Sequence, residues 1–193
     1  EDAITPKTRA IMAVHLFGIP CQIDRIQALA KKYGMALIED SCETVCASKD
    51  GISVGSWGDV GCFSFYTCHQ VNCGIGGMSV TKDEELATLM RSLVNHGRDP
   101  SFINGMVSDA PPEQRFLFER LGFSYRVTEM EAALGLDQAE TIWTTTSKRI
   151  SAGYRLNTAL RKEYGGLLHI PDMAASSYMM FPVVLTDEAL MSK

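Results

Sequence analysis

An α/β fold with a mostly parallel sheet flanked by helices is what this 193-residue sequence predicts, and three observations carry it. First, an apolar run, Ala10-Ile-Met-Ala-Val-His-Leu16, is followed by a helical period at Ile26, Leu29 and Ala30 and then by a second apolar run, Met35-Ala-Leu-Ile38. Strand, helix and strand at this spacing make a right-handed parallel crossover. Second, two more strand patterns follow, at Val60-Gly-Cys-Phe-Ser-Phe-Tyr66 and Met78-Ser-Val-Thr81. Third, helical periods recur after them, long enough to cover a sheet.

The elements can be justified in order. The first strand starts after the basic Lys7-Thr-Arg9 turn and ends at Gly18-Ile-Pro20. Asp24 is the expected N-cap of the first helix, Lys31 and Lys32 occupy its last turn, and Gly34 stops it. The second strand terminates on Glu39-Asp40, and ligands of open α/β sheets sit outside the carboxyl ends of the strands. Gly74-Ile-Gly-Gly77 is a glycine-rich turn into the fourth strand. Asp83 caps a helix with apolar residues at Leu86, Leu89, Met90 and Leu93 that ends near Asn95-His96-Gly97. From Arg98 to Arg120 no period is clean, and Pro100, Pro111 and Pro112 mark a long loop of the kind that is usually functional. Thr128-Glu-Met-Glu131 opens another helix with a capping box, with Met130, Ala133, Leu134 and Leu136 expected to face inward. Helix continues through Ile150, Tyr154, Leu156 and Leu160 to Gly165-Gly166, and Met180–Leu185 is a further expected strand.

Composition excludes several classes. The chain is 46% hydrophobic and 21% charged with net charge -5, its charges interspersed, so no basic stripe exists to bind nucleic acid. Apolar runs such as Val60–Tyr66 are too short to span a membrane, and no signal pattern opens the sequence. A cytoplasmic protein is the expectation. The six cysteines, Cys21, Cys42, Cys46, Cys62, Cys68 and Cys73, lack the spacing of a disulfide framework and are read as reduced. No His/Cys set has zinc spacing, and His15 and His96 each fall at a segment end.

Four collinear blocks over roughly residues 3 to 162 carry a resemblance. They are Ala13-Val-His-Leu-Phe-Gly18, Ile38-Glu-Asp40, Gly55-Ser-Trp-Gly-Asp59 with Phe63-Ser-Phe-Tyr66 and Gly76-Gly77, and Gly122–Glu129 with Ala132-Ala-Leu-Gly135. Together they resemble the DegT/DnrJ/EryC1/StrS family of pyridoxal-phosphate (PLP) enzymes acting on nucleotide-linked keto-sugars. The resemblance implies part of the large domain of a fold-type I PLP-dependent transferase, incomplete at both ends. Residues 1–145 would belong to the PLP-binding large domain, and 146–193 to a linking helix and the start of a small C-terminal domain. It further implies a homodimer with shared active sites, residues around Asn72 to Gly77 serving the partner's cofactor.

The resemblance assigns roles residue by residue. Asp40 would hold the protonated pyridine nitrogen and keep the cofactor an electron sink. Ser64 would donate to the phosphate. His69 is the departure: the family pattern places the Schiff-base lysine there, and an imidazole cannot condense with an aldehyde. The cofactor would then be held non-covalently, as PLP or the aminated form (PMP), with His69 moving protons. The keto-sugar 3-dehydratases of this family share the lysine-to-histidine change. Glu43 stands where that subgroup tends to carry an acid, able to share a proton with the cofactor or hold the imidazole. Cys42 matches one ligand of the iron–sulfur-dependent dehydratases, but Pro100-Ser-Phe-Ile103 stands where their other three cysteines lie, so no iron–sulfur cluster is expected.

The function expected is modification of a nucleotide-linked 4-keto sugar for surface polysaccharide or glycoside synthesis, with C3 dehydration based on His69. A PLP-dependent sugar aminotransferase and a non-catalytic binding or dimerisation module are the alternatives.

Overall fold

The computed structural model describes residues 1–99, 113 and 116–186. The central sheet has the order β1-β2-β5-β6, where β1 is Ala10–Val14, β2 Ala36–Asp40, β5 Val60–Ser64 and β6 Gly77–Val80. The first three strands are parallel, and β6 runs antiparallel to β5. Helix α1, Ile23–Tyr33, connects β1 to β2 and packs on one face. There Ile23 and Ala30 meet Ala13 and Leu37, with Ile11, Ile26 and Trp57 around them. Period-2 alternation explains the choice: Ile11, Ala13, Leu37 and Glu39 share this face, while Met12, Val14, Ile38 and Asp40 point to the other.

That other face is largely open in this chain, where Met12 is 64% and Val14 48% exposed. The site described below lies along it, at its carboxyl edge.

Helix α1 starts two residues earlier than expected. Gln22 is its N-cap and makes no side-chain cap bond, while Asp24 sits in the first turn. There the carboxylate complements the positive end of the helix dipole instead of capping it. Gly34 closes α1 in the left-handed conformation, its N–H reaching the carbonyls of Ala30 and Lys31.

A hairpin of β3 (Ser48–Lys49) and β4 (Ile52–Ser53) separates β2 from β5. Its turn, Asp50-Gly51, takes positive φ at both residues, which is the backbone of a type I′ turn.

Helix α2, Glu84–Val94, is capped by Asp83, whose carboxylate accepts from the Leu86 N–H at 2.9 Å. Asp83→Ala is expected to cost about 1 kcal/mol in denaturant unfolding. The Gly122–Glu129 block docks on the end of α2. Phe123 and Tyr125 donate their N–H groups to the Leu93 and Val94 carbonyls, and Arg126 donates to Nε2 of His96. The proline-marked stretch 100–112 lies outside the described residues.

Helix α3 is one continuous element, Glu129–Tyr164, running through residue 145. It opens as expected, with the Glu131 carboxylate accepting the Thr128 N–H at 2.8 Å. Its first turns do not face inward, however. Met130, Leu134 and Leu136 are 75%, 57% and 70% exposed, and Ala133 is exposed too. Helical periodicity reports which face is apolar, not what covers it.

The buried positions of α3 are the small residues Thr146 and Gly153, and at Gly153 a Cβ would run into the ring of Tyr178. Beyond α3, the strand expected over Met180–Leu185 shortens to β8, Val184–Leu185, paired with β7, Leu168–His169. Pro182 has no N–H for a ladder, and residues 178–180 are held by other partners.

Candidate active site

The parallel register of β2 and β5 builds the site. Asp40 pairs with Cys62, so Asp40 and Ser64, two residues beyond Cys62, lie on the same open face at the same edge. Loops leaving that edge carry His15 after β1, Glu43 after β2 and His69 after β5.

Asp40 is half-buried, and among the described residues its carboxylate accepts only from its own turn, the Cys42 N–H reaching Oδ1 at 3.2 Å. Burial, reinforced by the Asp40 carboxylate beside it, pushes the Cys42 thiol up to about 12. Cys42 therefore stays a protonated thiol, also directed at the Cys62 carbonyl 3.9 Å away. Among the described residues, no group of three or more His, Cys, Asp or Glu side chains could hold a metal.

The Ser64 hydroxyl accepts the Tyr66 N–H at 3.2 Å, and its own proton has no acceptor among the described residues. His69 stands on a tight turn, its N–H bonded to the Tyr66 carbonyl at 2.9 Å and its ring edge-on to that of Tyr66. Its Nδ1 is buried and has no hydrogen-bond partner among the described residues. A buried unpaired ring nitrogen in a folded protein calls for an explanation, and a ligand is a standard one.

Glu43 is drawn elsewhere. Its Oε2 accepts the Phe17 N–H at 2.7 Å, where Phe17 takes φ of 61°. It thereby fixes the loop after β1, and its hydrogen bond does not run to His69.

The residue that sequence reasoning passed over is Glu39. It is fully buried, and its carboxylate gathers four donors: the N–H groups of Gly55 at 2.8 Å, Trp57 at 2.7 Å and Gly58 at 2.7 Å, and Nε2 of His15 at 3.1 Å. Gly61, the register partner of Glu39, allows this, because a Cβ there would strike the Gly55 backbone. The Gly55–Asp59 block is thus a loop wrapped around one carboxylate. Asp59 completes it by accepting the Leu37 N–H at 2.7 Å.

His15, in the loop after β1, is likewise fully buried. Its Nδ1 accepts the Cys21 N–H at 3.1 Å, so Nε2 is the ring nitrogen that donates to Glu39.

Burial opposes ionisation of Glu39, but His15 and the Gly58, Gly55 and Trp57 N–H groups outweigh it and hold the carboxyl below its ordinary 4.5. A depressed pKa stabilises the fold fully above the ordinary value and loses that contribution as pH falls through the folded one. Denaturant midpoints are therefore expected to drop as pH is lowered below about 4.5, and Glu39→Gln to remove part of that dependence.

Asp40, Ser64 and His69 each keep hydrogen-bonding capacity that the described residues do not use, all at one sheet edge. A carboxylate, a hydroxyl donor and an imidazole are the donor set suited to a pyridinium, a phosphate and a proton in transit. These residues fit PLP or PMP.

Comparison with known proteins agrees. The model of the DegT/DnrJ/EryC1/StrS aminotransferase family matches residues 1–193. The chain is 40% identical over 142 residues to GDP-perosamine synthase of Caulobacter vibrioides, covering 74% of this chain and 35% of that protein. It superposes with a TM-score of 0.87 on an aminotransferase from Psychrobacter cryohalolentis, at 34% identity, covering 95% of this chain and 48% of the other. It also superposes on E. coli GDP-4-keto-6-deoxy-D-mannose-3-dehydratase with bound hydrated PLP, with a TM-score of 0.84 and 26% identity, covering 97% and 49%. The chain thus spans half or less of the length of these relatives. With a family model matched from end to end and the fold shared by solved members, this chain belongs to the DegT/DnrJ/EryC1/StrS aminotransferase family.

Proposed function

We propose that the protein containing this chain is a PLP- or PMP-dependent enzyme acting on a nucleotide-linked 4-keto sugar, and that it removes the C3 hydroxyl with His69 as the base. The observation that carries this reading is the buried, unpartnered Nδ1 of His69 at the position where the family pattern has lysine. Family membership and the PLP bound to the similar 3-dehydratase support the cofactor and the substrate class.

When bound, the cofactor supplies an electron sink for the pair released by breaking a C–H bond next to its attachment point. Asp40 would keep positive charge on the pyridine nitrogen. Ser64 would donate its free proton to the phosphate. His69 would take a proton from the cofactor's aminomethyl carbon and give one to the departing C3 hydroxyl, so that the pair from the broken C–H bond replaces the pair that leaves with oxygen. Glu43 acts at one remove, by fixing the loop after β1 through Phe17. A homodimer that completes the site and a cytoplasmic setting belong to the same proposal. No helix among the described residues is long and apolar enough to cross a membrane.

Amine transfer is the competing reading, favoured by the likeness to the perosamine synthase. Incubating the intact protein with PMP and a nucleotide-linked 4-keto-6-deoxy sugar distinguishes them. A product lacking the C3 hydroxyl is expected. An aminated sugar with its hydroxyl retained supports transfer, and no product from several such sugars supports a non-catalytic homologue.

A further inference from the structure

His69 lies on a loop between β5 and β6 that contains no strand or helix, and most of its hydrogen bonds are internal. Phe65 N–H bonds to the Gly76 carbonyl at 2.9 Å, Cys73 N–H to the Phe65 carbonyl at 3.0 Å, the Thr67 hydroxyl to the Gly74 carbonyl at 3.1 Å and Gly74 N–H to Asn72 Oδ1 at 2.8 Å. Among the described residues, two hydrogen bonds tie residues 66–74 to anything beyond 64–76, and both join Gln70 to Ser177. Gln70 Nε2 donates to the Ser177 carbonyl at 2.9 Å, and the Ser177 hydroxyl donates to Gln70 Oε1 at 3.3 Å. Both residues are buried, Gln70 9% and Ser177 1% exposed. The amide is thus used at both ends, out of competition with water.

Ser177 is itself firmly seated. Its N–H donates to the Gly18 carbonyl at 2.9 Å, and the Met180 N–H donates to the Phe17 carbonyl at 3.2 Å. Arg149 of α3 donates to the carbonyls of Tyr178 and Met179. Two glycines make room for this seat: a Cβ on Gly18 would lie 2.6 Å from the Met179 nitrogen, and one on Gly153 would enter the Tyr178 ring. Gly18 also has φ of 86°, a conformation that disfavours a side chain. Phe17, at the heart of the seat, is the residue whose N–H Glu43 holds.

We infer that Gln70 and Ser177 are positioning residues that hold the His69 loop against the β1 edge. Because His69 Nδ1 makes no hydrogen bond among the described residues, the ring's place follows its backbone and its edge-on contact with Tyr66. The neighbouring Gln70 supplies the hydrogen bonds that tie that backbone to the rest of the described residues, beside the packing of buried Val71 and Cys73. The inference rests on His69 being the base, but its structural half stands without it.

Gln70→Met keeps the length and removes both hydrogen bonds. In the intact protein, amide hydrogen exchange of peptides covering 66–76 is expected to accelerate roughly tenfold, two buried hydrogen bonds being lost, while β2 and β5 exchange as in the wild type. Unchanged exchange in 66–76, or an equal rise across β2 and β5, overturns the inference. Where Gln70→Met fails to fold, Ser177→Ala, which removes the hydroxyl alone, is expected to give a smaller local increase in the same peptides and is read by the same criteria.

The catalytic half is read from kcat, expected to fall roughly 10- to 100-fold with KM nearly unchanged, as misplaced catalytic groups do. In a His69→Asn background the Gln70→Met change is expected to add less than about twofold, since groups acting as a unit are not additive. Full additivity overturns the positioning role. If His69→Asn alone leaves turnover intact, the base assignment has failed, while the exchange result still decides the clasp.

Discussion

His69→Lys is expected to abolish dehydration and to give an enzyme that exchanges amine and retains PLP covalently after borohydride reduction. A lysine amine condenses with the cofactor aldehyde, whereas an imidazole only accepts or donates a proton. Loss of a positioned general base costs about 10²- to 10⁴-fold, so the deoxygenated product should fall by that factor in a product assay. The open face beside Asp40 and Ser64 is left intact by the substitution, and cofactor binding should persist. Dehydration that continues at the wild-type rate would assign the proton transfer to another residue.

Glu39→Ala is expected to be the most destabilising single substitution at this edge, at about 3–5 kcal/mol, the range for breaking a buried charged network by removing one partner. The reason lies in what remains behind. Three backbone N–H groups, of Gly55, Trp57 and Gly58, would lose their acceptor around a fully buried position, together with Nε2 of His15. An unsatisfied buried donor carries its full desolvation penalty. Denaturant unfolding gives the size of the effect. A loss below about 1 kcal/mol would mean that water reaches the loop and replaces the carboxylate.

The fold was legible where one rule governed one element. The β1-α1-β2 crossover, the third and fourth strands, the Asp83 cap and the Thr128 capping box all stand where periodicity and end signals put them. Local patterning failed where the deciding partner was distant. The inward face assigned to the start of α3 is exposed in this chain, and the last strand shortened because residues 178–180 bond to Phe17 and Arg149. The β3–β4 hairpin had a readable signal in Asp50-Gly51 that went unused.

Within the site, Asp40 was conspicuous as an acid ending a strand. Glu39 was equally exposed to reasoning: alternation from Leu37 places it on the core face, and a glutamate there requires several donors. The glycines of the Gly55–Asp59 block are the other half of that requirement. The Gln70–Ser177 bonds had no such signal, since nothing in the sequence links positions 107 residues apart.

The central claim, that this site works without a covalent link between protein and cofactor, is tested most directly by intact-mass measurement. The intact protein would be incubated with PLP, reduced with borohydride and weighed. The account predicts an unmodified mass for the wild type, with one cofactor added per chain in His69→Lys. A stoichiometric cofactor adduct on the wild-type protein would contradict it.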